Sequence, residues 1–300
     1  MELNHKQLRN TLMLVLCAFI WGTSFVAQSV SCDYVGPYTF LASRSWLACV
    51  FLAGVMAVRR FVQKKQGSRR PFWVAPRTLL LGGGACGVML FAASAAQQAG
   101  IATTTTAQAG FLTALYVVLV PVCSVVAGRR AGAKLWVCVG ASLAGLYLLC
   151  LAGRGSLHLT GGEWLLMLCA LLFTFQILLV DRYSPQLDGV QLSFAEFLTT
   201  ALLATLFMLV FETPTLAQLQ GAAWSIFYCG VFSSGVAYTL QILGQKDLDP
   251  TIASLAMCLE SVFSAVSGWL FLGQTLSRAE MLGCCLMFAA IVGAQLPEKK

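Results

Sequence analysis

Three ionisable side chains stand where such side chains are rarely tolerated. Arg44, Glu196 and Glu260 each fall inside an otherwise apolar run. A charge at the centre of a lipid-embedded helix costs about 2.5–3.5 kcal/mol on insertion scales, so it faces a polar interior, a partner or a ligand. The planar guanidinium of Arg44 suits a carboxylate or a phosphate, and it equally suits a structural ion pair or a clamp on backbone carbonyls. Glu260 suits a proton or a substrate amine, or a structural contact. At about 1.5 Å per residue, Arg44 lies ~12 Å from one end of its run and Glu260 ~14 Å from the end of its own. Both therefore reach mid-membrane depth, where a shared polar interior can shelter them. Glu196 follows closely on Gly189 and is expected to snorkel toward the nearer membrane face.

Polar and aromatic groups accompany these charges within the runs: Trp21, Gln97, Gln98, Tyr116, Gln176, Tyr228, Tyr238 and Gln241. An apolar cavity with a few convergent polar groups is the usual form of a small-molecule site. The set expected to border one substrate cavity is Trp21, Arg44, Tyr116, Gln176, Tyr238 and Glu260, judged by depth along their runs. Most polar residues of such a chain nonetheless serve packing. The run Thr103 to Thr106 is expected to hydrogen-bond along a helix rather than line a cavity.

Other patterns carry no chemistry. Gly82-Gly83-Gly84-Ala85-Cys86-Gly87 matches G-x-G-x-x-G, yet it follows no strand and opens no soluble helix, so close helix packing explains it better than a dinucleotide. His5 and His158 lie outside the apolar runs and suggest no metal. The 12 cysteines contain no C-x-x-C pair, and all but Cys32 sit within apolar runs, as small packing residues do. No Ser/His/Asp or Cys/His arrangement is readable, and neither a cofactor nor a catalytic residue is expected.

These residues need elements to hold them, and composition says which. The chain is 58% hydrophobic and 10% charged, where soluble proteins are roughly a quarter charged. So few charges cannot cover a water-exposed surface, and lipid must be the solvent. Apolar stretches of about twenty residues are read near 11–30, 36–58, 78–97, 101–127, 134–152, 163–180, 190–211, 222–243, 251–272 and 278–296, separated by Gly and Pro breakers. Lys6 and Arg9 precede the first, which is long enough to span and is read as a helix rather than a cleaved leader. The fold expected is all-α and integral to the membrane, with ten transmembrane helices.

Charge distribution supports that number. The net charge of +7 arises from short clusters between apolar runs and not from a basic stripe, which argues against nucleic acid. With ten alternating helices, every one of the 19 Lys and Arg residues except Arg44, Arg154 and Arg278 falls on the side of the two termini. By the positive-inside rule that side is expected to be the cytoplasm. The densest cluster, Arg59 through Arg77, sets topology and has the composition to attract anionic lipid.

The chain also echoes itself. Leu12 to Ala18 is answered by Leu165 to Ala170, with Cys17 and Cys169 aligned, and Gly140-Ala141-Ser142-Leu143 is answered by Gly283-Cys284-Cys285-Leu286. Five helices per half is an odd number, so the second half enters the membrane in the opposite sense. That is an inverted-topology repeat, with halves at 1–152 and 153–300.

Four stretches resemble the ten-helix EamA-type branch of the drug/metabolite transporter superfamily. They are Ala18 to Val26, with Trp21-Gly22-Thr23-Ser24-Phe25; Phe40 to Arg44; Ala109 to Pro121; and Leu259 to Phe263 followed by Gly268 to Gln274. The resemblance runs from about residue 11 to 295. Ser261 stands where the family usually has proline, implying a straighter ninth helix, and Gln274 stands where it usually has glutamate. The resemblance implies a secondary transporter of a small metabolite, such as an amino acid or related amphiphile, working outward by alternating access. The partners it implies are a small-molecule substrate, the lipid bilayer, protons or a counter-substrate, and a second copy of the chain in a homodimer; the membrane implied is a bacterial inner membrane. A polytopic enzyme acting on lipid-linked substrates is the competing class. Such an enzyme would need clustered acids or histidines in a sizeable loop, and the longest loop, about 59–77, contains neither.

Overall fold

The computed structural model describes residues 5–66, 73–129, 132–150, 161–272 and 277–295. Among them no strand occurs. The described residues form ten membrane helices: α1 (His5–Ser31), α2 (Pro37–Lys65), α3 (Pro76–Ile101), α4 (Thr106–Ala114 continued by Tyr116–Val126), α5 (Ala133–Cys150), α6 (Gly161–Tyr183), α7 (Gly189–Phe211), α8 (Ala223 to Gln245), α9 (Pro250–Met257 continued by Glu260–Leu272) and α10 (Arg278–Gln295). Eight are long and apolar enough to cross a membrane alone; the apolar cores of α5 and α10 are shorter. Helix is the only open structure that satisfies every backbone group without water, and this sequence is apolar enough to require that solution.

The ends follow local chemistry. Pro37, Pro76 and Pro250 open their helices, where a missing N–H costs nothing. Asp188 caps α7, its Oδ1 accepting from the backbone N–H of Val190 (3.1 Å) and Gln191 (3.2 Å). Gly36 has no side chain to cap α2, so the carboxylate of Glu212, just past the end of α7, accepts from Tyr38 N (3.0 Å) and Thr39 N (2.7 Å) instead. A negative charge at a helix N-terminus is also favoured by the helix dipole.

Packing is two-fold in pattern. α3 packs on α6 as α8 packs on α1; α3 on α7 as α8 on α2; and α1 on α9 as α6 on α4. The pairs α2–α7 and α5–α10 straddle the axis. Exchanging helix n with helix n+5 thus preserves the contacts, and with five helices per half the exchange reverses direction across the membrane. The inverted repeat expected from the sequence is the fold.

Two corrections and two further findings concern local detail. Thr103 and Thr104 do not run along α4: their hydroxyls donate to the Gly100 carbonyl and close the end of α3. α9 is not straightened by Ser261 but breaks at Cys258–Leu259, where Ser261 N turns to the Cys258 carbonyl and Ser261 Oγ donates to Gly110 O (2.8 Å) on α4. α4 breaks at the matching place, Leu115. The middle of α8, Cys229–Ala237, is a π-helix, which periodicity did not reveal. Arg154, His158 and Gln274 lie outside the described residues.

Small residues let the helices approach. A Cβ on Gly87 of α3 would meet the Glu196 carbonyl of α7 at 2.6 Å, and one on Gly83 would meet Ala195. On the other half, Gly230 and Gly235 of α8 hold the same relation to Leu47 and Phe51 of α2. Gly84 has open space around it. Gly87→Val is expected to destabilise the protein by about 1–3 kcal/mol through overpacking. Gly84→Ala should leave stability equal or slightly raised. Thermal unfolding in detergent checks both.

Candidate functional site

The helices converge on one central cavity. α1 contributes Trp21, Ser24, Phe25 and Gln28; α2 contributes Arg44; α3 Gln97; α4 Thr113 and Tyr116; α6 Phe173 and Ile177; α8 Ser233, Tyr238 and Gln241; α9 Glu260. α5 and α10 pack on each other away from it. The enclosed space is ≈ 30 Å³, room for roughly two waters and too little for a metabolite.

Five of the six residues expected at one cavity line it: Trp21, Arg44, Tyr116, Tyr238 and Glu260. The sixth, Gln176, stands one layer behind and reaches the cavity through Gln241, whose Nε2 donates to Gln176 Oε1 (3.1 Å). Tyr228 pairs with the Thr23 hydroxyl away from the cavity. Gln98 ties α3 to α1 by donating to Gln28 O and Ser31 Oγ, both at 3.1 Å. On the other half Gln245 ties α8 to α6 through the Ile177 carbonyl. Sequence reading missed Ser24, Gln28, Thr113 and Ser233, small or ordinary polar residues that only their side of the helix distinguishes.

Glu196 is a correction. It does not snorkel to the membrane face but is 0% exposed, with Gln176 Nε2 donating to its Oε1 at 2.7 Å. α3 and α8 pack against α7, and Gln176 of α6 brings an amide within reach of the side chain.

The charged groups are placed by the repeat. Arg44 lies seven residues past Pro37, the start of α2, and Glu196 seven past Gly189, the start of α7. Tyr116 lies ten past Thr106, the start of α4, and Glu260 ten past Pro250, the start of α9. Each pair therefore occupies equivalent sites in the two halves, at mirrored depths. Arg44 and Glu196 are opposite in charge, and each meets a glutamine from the first helix of its own half. Arg44 Nη1 donates to Gln28 Oε1 at 3.5 Å, as Gln176 donates to Glu196. Tyr116 and Glu260 sit directly after the breaks in α4 and α9, which turn them toward the cavity.

The cavity is under-satisfied. Arg44 Nε, Tyr116 Oη and Glu260 Oε1 are buried with no hydrogen-bond partner. None of Arg44, Glu196 and Glu260 is in an ion pair among the described residues; the Arg44 guanidinium lies over the Phe40 ring at 5.5 Å. The Trp21 and Tyr238 rings lie 4.7 Å apart, tilted by 58°, and Trp21 Nε1 donates to the Ser233 carbonyl in the π-helical stretch. The cavity lining thus combines a cation, a carboxyl and aromatic rings. No group of metal-ligating side chains occurs among the described residues.

On the face carrying the termini, ion pairs among the described residues join the halves: Lys6–Asp247 (2.8 Å), Arg59–Asp188 (3.0 Å) and Arg129–Asp181 (2.6 Å). In each the first half supplies the cation and the second the carboxylate. The Lys6 ammonium holds the exposed Asp247 carboxyl below the usual carboxylate range.

Ten helices in an inverted repeat around a closed central cavity define a membrane transporter fold. The EamA-like transporter family matches the chain twice, over residues 9–151 and 160–295, and the protein belongs to that family, within the drug/metabolite transporter superfamily. An uncharacterized transporter of Archaeoglobus fulgidus is 27% identical over 291 residues, 96% of this chain and 86% of that protein. The threonine/homoserine exporter RhtA of Salmonella typhimurium is 34% identical over 77 residues, 24% of this chain and 26% of the exporter. A crystal structure 19% identical in sequence superposes with a TM-score of 0.73, covering 95% of this chain and 96% of its own, and so shares the fold.

The Gln176–Glu196 contact invites a measurement. Gln176→Leu removes the donor that meets a fully buried carboxyl and is expected to cost about 1–3 kcal/mol or more. Gln176→Glu in place of leucine should be worse still, since it sets two carboxyls together. Thermal melts of the three proteins in one detergent check the order.

Proposed function

We propose that this protein is a secondary transporter that exports a small zwitterionic metabolite of the amino-acid kind by alternating access. The observation that carries this reading is the trio of buried atoms without a hydrogen-bond partner, Arg44 Nε, Tyr116 Oη and Glu260 Oε1, on side chains that line one cavity. A carboxylate fits the guanidinium of Arg44, and an ammonium fits the carboxylate of Glu260. Trp21 and Tyr238 would flank the substrate's apolar part. The partial likeness to a threonine/homoserine exporter supports both the substrate class and the outward direction.

In this reading the two repeats rock about the pseudo-two-fold axis, and a cavity of ≈ 30 Å³ must widen on one side to admit substrate. The ion pairs on the face of the termini hold that side closed and part when the protein opens there. Glu260 couples the cycle by binding a proton or the substrate amine in turn. The face of the termini is assigned to the cytoplasm, because cations concentrate there, and the membrane to a bacterial inner membrane.

Flux of labelled threonine, homoserine and a wider amino-acid panel into inverted vesicles, with and without a pH gradient, tests the function. A zwitterionic amino acid should be carried; carriage of organic acids or nucleosides alone overturns the substrate class. Arg44→Gln is expected to lower flux at least ~10-fold, as loss of about 1.4 kcal/mol or more of binding would. Glu260→Gln should abolish the response to a pH gradient while the protein remains inserted; a normal response assigns Glu260 a structural role. A reporter fused after Lys300 is expected to read cytoplasmic.

A further inference from the structure

A second concavity lies far from the central cavity, at the end of α2 on the face of the termini. It is a groove of ≈ 440 Å³ between α2, Phe194 of α7 and the segment carrying Trp73. Its floor is apolar and uses small residues to make room: Ala53 and Ala57 fall one turn apart on the exposed side of α2, followed by Phe61 at 59% exposure. At its rim stand Arg60 and Lys64, four residues apart and so on one side of the helix. From Ala53 to Lys64 is about 16 Å along the axis, the scale of a lipid's tail segment plus its headgroup linkage. Polarity changes in the same order as it does in a bilayer leaflet, apolar at depth and cationic at the surface, with Trp73 at the interfacial level favoured by tryptophan.

The opposite end of the same helix pair is built differently. There Tyr38, Phe91, Phe207 and Phe211 pack with ring centroids 5.0–6.5 Å apart, and their rings fill the space between α2 and α7. The pseudo-two-fold relation is thus broken at one end only, where the groove stays open and gains two cations.

We infer that this groove binds one anionic phospholipid of the leaflet on the side of the termini. Its tail lies along Ala53, Ala57 and Phe61, and its phosphate lies against Arg60 and Lys64. Charge complementarity selects an anionic headgroup, and the apolar floor selects a lipid over free phosphate. Because α2 belongs to the first half and α7 to the second, the lipid sits astride the two halves. The inference is independent of the transported substrate and of the function proposed above.

The test uses the full chain in nanodiscs containing either phosphatidylglycerol or phosphatidylcholine with brominated acyl chains, which quench nearby tryptophan. The share of Trp73 is the difference between the wild type and Trp73→Phe. Phosphatidylglycerol is expected to quench Trp73 about twofold more than phosphatidylcholine, with the excess falling as salt rises and unaffected by millimolar inorganic phosphate. The double substitution Arg60→Gln, Lys64→Gln should remove the excess; if it does not insert, Lys64→Gln alone should at least halve it. Equal quenching by the two lipids overturns the inference, as does an excess that survives loss of the cations. Displacement by inorganic phosphate would mark a simple anion site and would overturn it equally.

Discussion

Inside a bilayer no solvent answers a polar group, so each one must be answered by the protein or left as a demand on something that enters. That constraint orders this structure. It makes the backbone helical throughout the spans, brings small residues to the helix crossings, and leaves charge only where several helices shelter it together. Arg44, Glu196 and Glu260 are tolerated because α1, α2, α4, α6, α8 and α9 shield them from lipid. The cost falls differently on each. Glu196 has the Gln176 amide at 2.7 Å on one oxygen and no partner on the other, Arg44 has a 3.5 Å contact with Gln28 and the face of Phe40, and Glu260 keeps an oxygen with no partner.

Close packing and the cavity depend on one another. Gly83 and Gly87 admit α7 against α3, Gly230 and Gly235 admit α2 against α8, and Gly22 admits α9 against α1. Those crossings fix how far the breaks at Leu115 and Leu259 stand from α1 and α6, and hence where Tyr116 and Glu260 point. The π-helical stretch of α8 adds a backbone carbonyl to the wall, which Trp21 uses. The cavity's polarity therefore includes a backbone carbonyl beside its polar side chains.

Much of this was legible in the sequence. Runs of apolar residues ended by Gly and Pro placed every helix, most ends within a few residues and the start of α1 and end of α2 six and seven residues short, because a spanning segment's length is set by the bilayer. Side is harder to read than span. A membrane helix is apolar nearly all round, so periodicity cannot say whether Gln176 faces the cavity or the layer behind it, nor that Glu196 turns inward. Ser261 shows the same limit: losing proline implied a straight helix, while a serine hydroxyl reaching Gly110 across to α4 accompanies a break that composition does not encode. Depth, by contrast, followed from counting residues, and depth was enough to bring Trp21, Arg44, Tyr116, Tyr238 and Glu260 to one cavity.

The opposite charges of Arg44 and Glu196 have a historical consequence. Two identical five-helix chains inserted in opposite senses could in principle assemble the same architecture. Two copies of the first half would set two buried guanidinium groups around one axis, and two copies of the second would set two pairs of carboxyls there. Neither arrangement is neutral, and neither offers a cation facing an acid. The halves are complements, so neither could be replaced by a second copy of the other.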